Sequence, residues 1–466
     1  MLFHSYIFAV FLIVVVAAHQ VLPPRFRRHL LLVASYVFYS SWNLHYASLI
    51  LFSTVIDYWV AGAMARSTDE GRRRKLLWLS LVVNLGVLAI FKYYNFFAHS
   101  LTEVFSVSLP LHELLLPVGI SFYTFQSMSY TIDVYRREID TAKDFVDFAL
   151  FVSFFPQLVA GPIVRAAEFL PQLDRPRRLV PEQAHAGFQL FMIGLFKKIV
   201  LADNMAVLVD RVHAGPAVYS GADLWVTAYA FAFQIYFDFS GYSDMAIGLA
   251  KMFGFEFPEN FRRPYCAVNV SEFWRRWHIS LSTWLRDYLY ISLGGNRGST
   301  VRTLRNLMLT MVLGGLWHGA NWTFVIWGFL HGSFLMVHRL YGQITRRVDL
   351  LARLGKTRAL RFVFVLLTFH CWVVSMVYFR AQSVDVAHLM LGRMFNPWSG
   401  WQLTLSFYLG ICALLYLGHV LQEKFFILEK LEARPIETRV VLWVAAVWAM
   451  ILLKPDNAVP FLYFQF

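Results

Sequence analysis

Residues 306–338 read NLMLTMVLGGLWHGANWTFVIWGFLHGSFLMVH, an apolar run with arginines at both ends. Arg302 and Arg305 precede the run and Arg339 follows it, so both ends favour the same side of a membrane. One helix over this stretch would be about 50 Å long, more than the ~30 Å hydrocarbon core of a bilayer. We therefore predict two half-membrane helices that meet near His318. A titratable ring is costly at that depth, which makes His318 the first candidate for chemistry.

The composition of the whole chain indicates a polytopic, all-α integral membrane protein. Of 466 residues, 58% are hydrophobic and 15% are charged, and the mean hydropathy is +0.52. The formal net charge of +13 does not point to nucleic acid, because Arg and Lys fall in short loops between apolar runs. Cys266, Cys371 and Cys412 lie far apart, so neither a disulfide framework nor a zinc site is expected.

Charge alternation predicts the topology. The connections 23–29, 66–75 and 136–144 are basic, whereas 98–113 and 213–223 contain no Lys or Arg, so we place the basic loops in the cytoplasm. No soluble domain is visible, and residues 1–466 are interpreted as one membrane domain of roughly 10–12 segments. The predicted spans are roughly 5–22, 29–42, 44–64, 76–97, 114–135, 186–210, 223–250, 360–379, 403–422 and 438–453.

Two segments allow further predictions about the topology, namely the first apolar run and residues 145–164. The first apolar run has Arg25, Arg27 and Arg28 after it and no Lys or Arg before it, opposite to a signal peptide. We therefore expect an uncleaved first helix with its N-terminus outside the membrane. Residues 145–164 have basic flanks and are interrupted by Pro156 and by Gly161-Pro162, which favours a re-entrant segment over a span.

Residues 263–298, RPYCAVNVSEFWRRWHISLSTWLRDYLYISLGGNRG, contain a second histidine of interest. Aromatic and leucine side chains recur at helical spacing over 271–288, which predicts an amphipathic helix in the cytoplasmic interface. Arg275 and Arg276 occupy its basic face. His278 lies on the aromatic stripe, where a leucine would pack better, so it is either a functional ring or a hydrogen-bonded structural histidine.

Residues 236–249, YFDFSGYSDMAIGL, place two carboxylates in an apolar helix. Unpaired buried charge is costly, so Asp238 and Asp244 either face an internal cavity or form salt bridges, for which Lys197 and Lys198 are candidate partners. A substrate-binding role for the two aspartates stays open at this point.

Several motifs are absent. The sequence has no GxSxG elbow, Walker A loop, HExxH or GxGxxG with a following strand pattern, and no histidine is followed five residues later by aspartate. ATP-driven transport and serine hydrolysis are therefore unsupported.

The quoted blocks, with NFRRPY at 260–265 and the closing FLYFQF at 461–466, together resemble the membrane-bound O-acyltransferase (MBOAT) family. The closer likeness is to its bacterial branch that O-acetylates alginate, cellulose or peptidoglycan, and the D-alanine transferases are more distant. The signature core covers about 236–332. The resemblance implies a ring of helices with re-entrant segments around a central tunnel, in the inner membrane of a bacterium. It also implies that Trp317-His318-Gly319 holds the catalytic histidine and that His278 is the family's second one.

These features together define the expected chemistry. A cytoplasmic thioester, most of all acetyl-CoA, would donate acetyl, and the protein would pass the acetyl group across the membrane for O-acetylation of an exported polysaccharide such as alginate. No resident cofactor or metal is expected. His318 would act as general base or as nucleophile, and His278 would orient the donor or stabilise an oxyanion. Trp317 and Asn321 would shape the pocket, and Arg275 and Arg276 would attract the donor's phosphates.

Partners and alternatives complete the expectations. The resemblance implies a periplasmic or membrane-anchored acetyltransferase or esterase-like partner of the SGNH type, which completes the transfer outside. A polysaccharide synthesis and export complex is the other expected partner. Alternatives within the class are D-alanyl or other acyl transfer to a cell-wall polymer, and acetylation of peptidoglycan or cellulose. A lipid-linked-sugar transporter or a non-catalytic scaffold are the rivals outside it, although a transporter would favour inverted repeats, which the sequence does not display.

Overall fold

A computed structural model gives the fold. It describes residues 1–107, 109–112, 114–174, 180–348, 353, 355, 357–396, 403–425, 435–455 and 460–462. Over these residues the chain is helical and contains no β-strand, which confirms the predicted all-α class. Three helical stretches are long and apolar enough to cross a membrane, namely Leu44–Ala65, Glu70–Phe105 and Arg358–Arg380. The arginines predicted to make the 175–178 connection basic lie outside the described residues.

The helices follow the predicted spans closely. The first half of the chain forms α1 (Tyr6–Val21), α2 (Pro24–Ser40), α3 (Leu44–Ala65), α4 (Glu70–Leu88), α5 (Tyr94–Phe105), α6 (Ile120–Arg136), α7 (Phe145–Ser153), α8 (Phe155–Leu158), α9 (Ala166–Leu173) and α10 (Pro181–Phe196). The second half forms α11 (Asp203–His213), α12 (Gly221–Met252), α13 (Val270–Arg276), α14 (Ile279–Trp284), α15 (Thr300–His318), α16 (Trp322–Thr345), α17 (Arg358–Arg380), α18 (Val384–Met394), α19 (Leu403–Phe425) and α20 (Ile436–Leu452). Single π-helical stretches, Ala89–Tyr93, Lys197–Ala202 and Leu285–Tyr290, join or extend neighbouring helices.

The chain divides into two compact units. The first contains residues 1–195 and 242–259, and the second contains 196–241 and 260–466. The prediction of one membrane domain stays a prediction. Both candidate histidines, His278 and His318, belong to the second unit, whose core is rich in buried aromatic side chains such as Trp327 and Trp372.

The interruption predicted within 145–164 is confirmed. Helix α7 ends at Ser153, and α8 is only four residues long. Helices of nine and four residues would measure about 14 and 6 Å, so neither spans a bilayer. Gly161 and Pro162 follow in a buried non-helical stretch.

The break near His318 is also confirmed, but the predicted half-membrane length of the two helices is wrong. Helix α15 has 19 residues and α16 has 24, which correspond to about 28 and 36 Å. The reason is that both helices continue past the apolar run, to Thr300 on one side and Thr345 on the other. Only residues 319–321 interrupt them.

Glycines let α15 and α16 pack closely. A Cβ added to Gly315 would lie 2.2 Å from the Phe324 carbonyl oxygen, and one added to Gly328 would lie 2.4 Å from that of Met311. Any side chain at either position would therefore push the helices apart. The two glycines set the approach of the helix that ends at His318.

The continuous helix predicted for 271–288 is wrong as well. Helix α13 ends at Arg276, Trp277 is extended, and α14 starts only at Ile279. His278 lies in the junction with φ 41° and ψ 57°, the left-handed region. The aromatic side chains do recur at helical spacing, but the helix is interrupted where His278 contacts Asn260.

Candidate active site

His318 is the last residue of α15. Its side chain is buried, with 5% of its surface exposed. The carbonyl end of a helix carries partial negative charge, which stabilises a cation located there. The helix end therefore favours a ring that takes up a proton, which is what a general base must do.

Three aromatic rings surround the His318 imidazole. Ring centroids lie 5.1 Å away for Trp317, 5.2 Å for Trp327 and 5.2 Å for Phe379, all close to perpendicular to the histidine. A cation within about 6 Å of an aromatic centroid is stabilised when it faces the ring, most by tryptophan. These aromatic neighbours also shield most of the His318 side chain from solvent.

His278 is held in an unfavourable backbone conformation. A non-glycine residue in the left-handed region costs of order 1–3 kcal/mol and persists only when its surroundings enforce it. The backbone N–H of the next residue, Ile279, donates to the Asn260 carbonyl oxygen at 2.9 Å. Such strain clusters at functional sites, and this favours the functional interpretation of His278 over the structural one.

Asn260 also fixes the tautomer of His278. The amide oxygen of Asn260 accepts the backbone N–H and the hydroxyl of Ser280, at 3.2 and 2.9 Å, and a backbone N–H can only donate. The nearby His278 Nδ1, at 3.2 Å from the same oxygen, must then carry the hydrogen. The basic lone pair of the neutral ring is thereby assigned to Nε2. Burial lowers the pKa of His278 to about 3, so the ring is neutral at physiological pH.

Trp317 connects the two histidines. Its ring lies 6.2 Å from that of His278 and 5.1 Å from that of His318, and its side chain is 4% exposed. The predicted role of Trp317 in shaping a pocket thus has a geometric counterpart, because one ring contacts both imidazoles. The ring of Phe239 packs nearly perpendicular to the His278 ring, with 4.6 Å between the two centroids.

Asn321 has a local structural task. Its side-chain oxygen accepts the backbone N–H of Thr323 at 2.9 Å and caps the N-terminus of α16. Its amide donates to the Gln382 carbonyl at 3.2 Å. Asn321 therefore stabilises the turn that follows His318. A pocket-lining role for it stays a prediction.

Asp238 forms the buried salt bridge that was one of the two predicted alternatives. The Lys198 ammonium lies 2.7 Å from Asp238 Oδ1 and 2.7 Å from Asp203 Oδ1, and all three side chains are almost fully buried. The second oxygen of Asp238 accepts the backbone N–H of Leu462 at 2.8 Å. Lys198 thus serves two carboxylates, and Asp238 connects helix α12 to the segment at 461–462.

Asp244 does not share this site. It lies in the part of α12 that belongs to the first unit and is half-buried. Six residues along an α-helix correspond to about 1.7 turns, so Asp238 and Asp244 point in different directions. The structure does not bring the two carboxylates together.

The predicted basic face is only partly available for phosphate. Arg276 lies 2.7 Å from Glu272 and 2.8 Å from Glu423, and Arg263 lies 2.7 Å from the other oxygen of Glu423. These acidic partners come from α13 itself and from α19, 147 residues away from Arg276. Arg275 is exposed instead. Arg276 is thus committed to acidic partners, and the role in donor binding predicted for Arg275 and Arg276 stays a prediction.

Sequence reasoning missed four residues of this site: Asn260, Trp327, His331 and Phe379. Trp327 and His331 are spaced i, i+4 on α16, with rings 4.6 Å apart, and His331 Nε2 lies 2.9 Å from the Ser375 hydroxyl. That spacing was a usable signal. Asn260 and Phe379 are distant in sequence from the histidines, and nothing local marks them.

Comparison with known proteins identifies the class. The model of the membrane-bound O-acyltransferase family matches residues 36–380. The chain therefore belongs to this family; it is an integral membrane protein and an O-acyltransferase. The ring of helices around a tunnel stays a prediction.

Three curated relatives show how similarity is distributed. The chain is 47% identical over 406 residues to "Probable alginate O-acetylase AlgI" of Azotobacter vinelandii, covering 85% of this chain and 78% of that protein. It is 39% identical over 397 residues to "Peptidoglycan O-acetyltransferase" of Helicobacter pylori, covering 80% and 74%. It is 27% identical over 276 residues to "Teichoic acid D-alanyltransferase" of Bacillus subtilis, covering 56% and 68%.

Proposed function

We propose that this protein transfers acetyl from a cytoplasmic thioester, acetyl-CoA, to hydroxyl groups of an exported polysaccharide such as alginate. The observation that carries the proposal is the cluster of aromatic rings around His318 at the end of α15, with Trp317 in contact with both histidines. Identity of 47% to an alginate O-acetylase homologue supports the choice of acetyl over D-alanyl, for which the similarity is 27%.

In the proposed reaction, His318 acts as general base. It removes the proton of the acceptor hydroxyl while the oxygen attacks the thioester carbonyl carbon. The tetrahedral intermediate collapses with cleavage of the C–S bond, and the thiolate takes the proton from the imidazolium. The balance is one ester formed, one thioester broken and one free thiol released. Such a base contributes about 10²–10⁴-fold to the rate.

His278 is proposed to position the donor. Its Nδ1–H is committed to Asn260, so the ring is fixed in one orientation beside Trp317. The exposed Arg275 is proposed to attract the phosphates of coenzyme A, since a guanidinium forms charge-assisted bonds with phosphate oxygens. A membrane-anchored or periplasmic acetyltransferase or esterase-like partner is proposed to complete the transfer to the polysaccharide outside the inner membrane, together with an export complex. The N-terminus of this chain is proposed to lie on that outer side.

Membrane vesicles of known orientation test the donor and its side. Inverted vesicles, which expose the cytoplasmic face, should incorporate radiolabelled acetyl from acetyl-CoA into polysaccharide, and right-side-out vesicles should not. Inverted vesicles carrying Arg275→Glu should need more acetyl-CoA for half-maximal rate, whereas Arg297→Glu, an exposed arginine in the turn after the 285–290 stretch, should not. Incorporation of D-alanine with no incorporation of acetyl would overturn the proposal.

A further inference from the structure

The second unit contains a cavity of about 670 Å³ between the C-terminal half of α16 and the N-terminal half of α17. We refer to it as the α16–α17 groove. We propose that this groove binds an anionic phospholipid, with an acyl chain along the groove and the phosphate beside Arg361. A cavity of this size lies within the range of ordinary ligand sites, about 300–1,000 Å³.

The lining suits a hydrocarbon chain. Phe334, Val337 and Tyr341 of α16 face Phe364 and Leu367 of α17 across the groove. Polar groups such as His338 and Thr368 also belong to the lining, but an acyl chain can pack on the apolar side chains through van der Waals contacts. The middle of the groove offers that apolar surface.

The flanks of the groove are apolar and exposed. Leu340 and Ile344 on α16 are 40% and 53% exposed, and Phe362 and Val363 on α17 are 62% and 51% exposed. Helix α17 is one of the stretches able to cross a membrane. In an integral membrane protein such flanks contact lipid, so bilayer phospholipid reaches the groove directly.

One end of the groove is cationic. Arg361 belongs to its lining and supplies the positive charge, and Arg275 lies near another lining residue, His338. Within the described part of the chain, neither Arg361 nor Arg275 forms an ion pair, in contrast to Arg263 and Arg276. A guanidinium is well suited to bind a phosphodiester through two parallel hydrogen bonds.

The chain around this end adds to the positive charge. Arg346 and Arg347 follow α16, and Arg358 begins α17. Such basic ends of membrane helices are expected on the cytoplasmic side, where anionic phospholipids give the surface a negative potential. Charge complementarity therefore selects an anionic phospholipid rather than a zwitterionic one.

Occupancy of the groove would also support the active site. Phe334 packs on His331 at 5.6 Å, His331 packs on Trp327 at 4.6 Å, and Trp327 packs on His318 at 5.2 Å. A lipid that packs on Phe334 would restrict the movement of the α16 face that carries Trp327. We therefore expect bound lipid to stabilise the folded protein as well as to copurify with it.

The test uses the full chain in neutral detergent with added phosphatidylglycerol or phosphatidylcholine. Native mass spectrometry should detect retained phosphatidylglycerol but not phosphatidylcholine, and phosphatidylglycerol should raise the melting temperature. Arg361→Glu should weaken phosphatidylglycerol binding by about tenfold or more, because the charge beside the phosphate is reversed. Arg297→Glu, an exposed arginine that belongs neither to the lining nor to the basic ends of α16 and α17, is the matched control and should bind normally.

A second variant separates loss of binding from loss of folding. Val337→Trp should narrow the groove and reduce binding of phosphatidylglycerol with no change of charge. Equal binding by wild type and Arg361→Glu would overturn the proposal. Stoichiometric displacement of the lipid by acetyl-CoA would also overturn it, since the groove would then be a donor site.

Discussion

The Nδ1 of His278 and the amide oxygen of Asn260 are 3.2 Å apart, and this contact decides the chemistry of the second histidine. Because the oxygen of Asn260 already accepts two bonds from Ser280, His278 can only donate to it. A hydrogen bond of this kind fixes both the tautomer and the orientation of an imidazole. Asn260 is thus a positioning residue for His278.

We predict that Asn260→Leu lowers kcat by about 10–100-fold, the usual effect of removing a group that orients a functional histidine. Asn260→Asp should retain more activity, because a carboxylate still accepts the Nδ1–H. It should also raise the pKa of His278 from its lowered value of about 3. If His278 must be neutral, activity of the Asp variant will fall at a higher pH than in wild type as the solution is acidified. Identical pH–rate profiles of wild type and Asn260→Asp would contradict the positioning role of Asn260.

The lysine between Asp203 and Asp238 gives a stability prediction. Lys198→Met leaves two buried carboxylates without their cation, and removing one member of such a buried group costs about 3–5 kcal/mol. We expect a large decrease of the melting temperature in detergent. Adding Asp203→Asn and Asp238→Asn to Lys198→Met should restore part of it. No recovery in the triple variant would show that the charges are not the cause.

The glycine contact between α15 and α16 can be tested with a matched pair on one helix. Gly328→Ala introduces a Cβ 2.4 Å from the Met311 carbonyl oxygen, so the helices must separate. We expect a loss of about 1–3 kcal/mol in stability and a loss of acyl transfer, because His318 ends α15. Gly342→Ala meets nothing within 4 Å and should be neutral or slightly stabilising. Equal thermal stability and activity of the two variants would contradict the packing argument.

The predicted orientation can be tested with single cysteines. In a background with Cys266, Cys371 and Cys412 replaced by alanine, Arg74→Cys should react with an impermeant reagent only from the cytoplasmic side. Val218→Cys, at a position 80% exposed, should react only from outside. This expectation follows from the enrichment of Lys and Arg in cytoplasmic loops. The reverse pattern would invert the topology and the direction of acetyl flow.

Much of this structure could be predicted from local patterns. Apolar runs and their basic flanks gave the spans, and the arginines around 306–338 gave a break close to His318. Local patterns did not reveal that α15 and α16 are long helices, because the apolar run underestimates helices that continue into polar sequence. Asn260 lies 18 residues before His278, and their contact overrides the helical periodicity of 271–288.

Pairing between distant residues was equally hidden. The sequence suggested a free basic face with Arg275 and Arg276, yet Glu423 pairs with Arg276 across 147 residues. The aromatic surroundings of His318 likewise depend on Phe379, which lies on another helix. Sequence spacing reports neighbours on one helix, whereas a buried site is assembled from several.

The most direct test of the account concerns His318. His318→Ala and the matched control His185→Ala, at an exposed position on α10, should be expressed in cells lacking the wild-type protein. Polysaccharide acetylation would be measured together with the amount of folded protein in the membrane. We expect acetylation to be abolished by His318→Ala and unchanged by His185→Ala, with both proteins inserted at wild-type levels. Wild-type acetylation in cells that contain only His318→Ala would contradict the central claim.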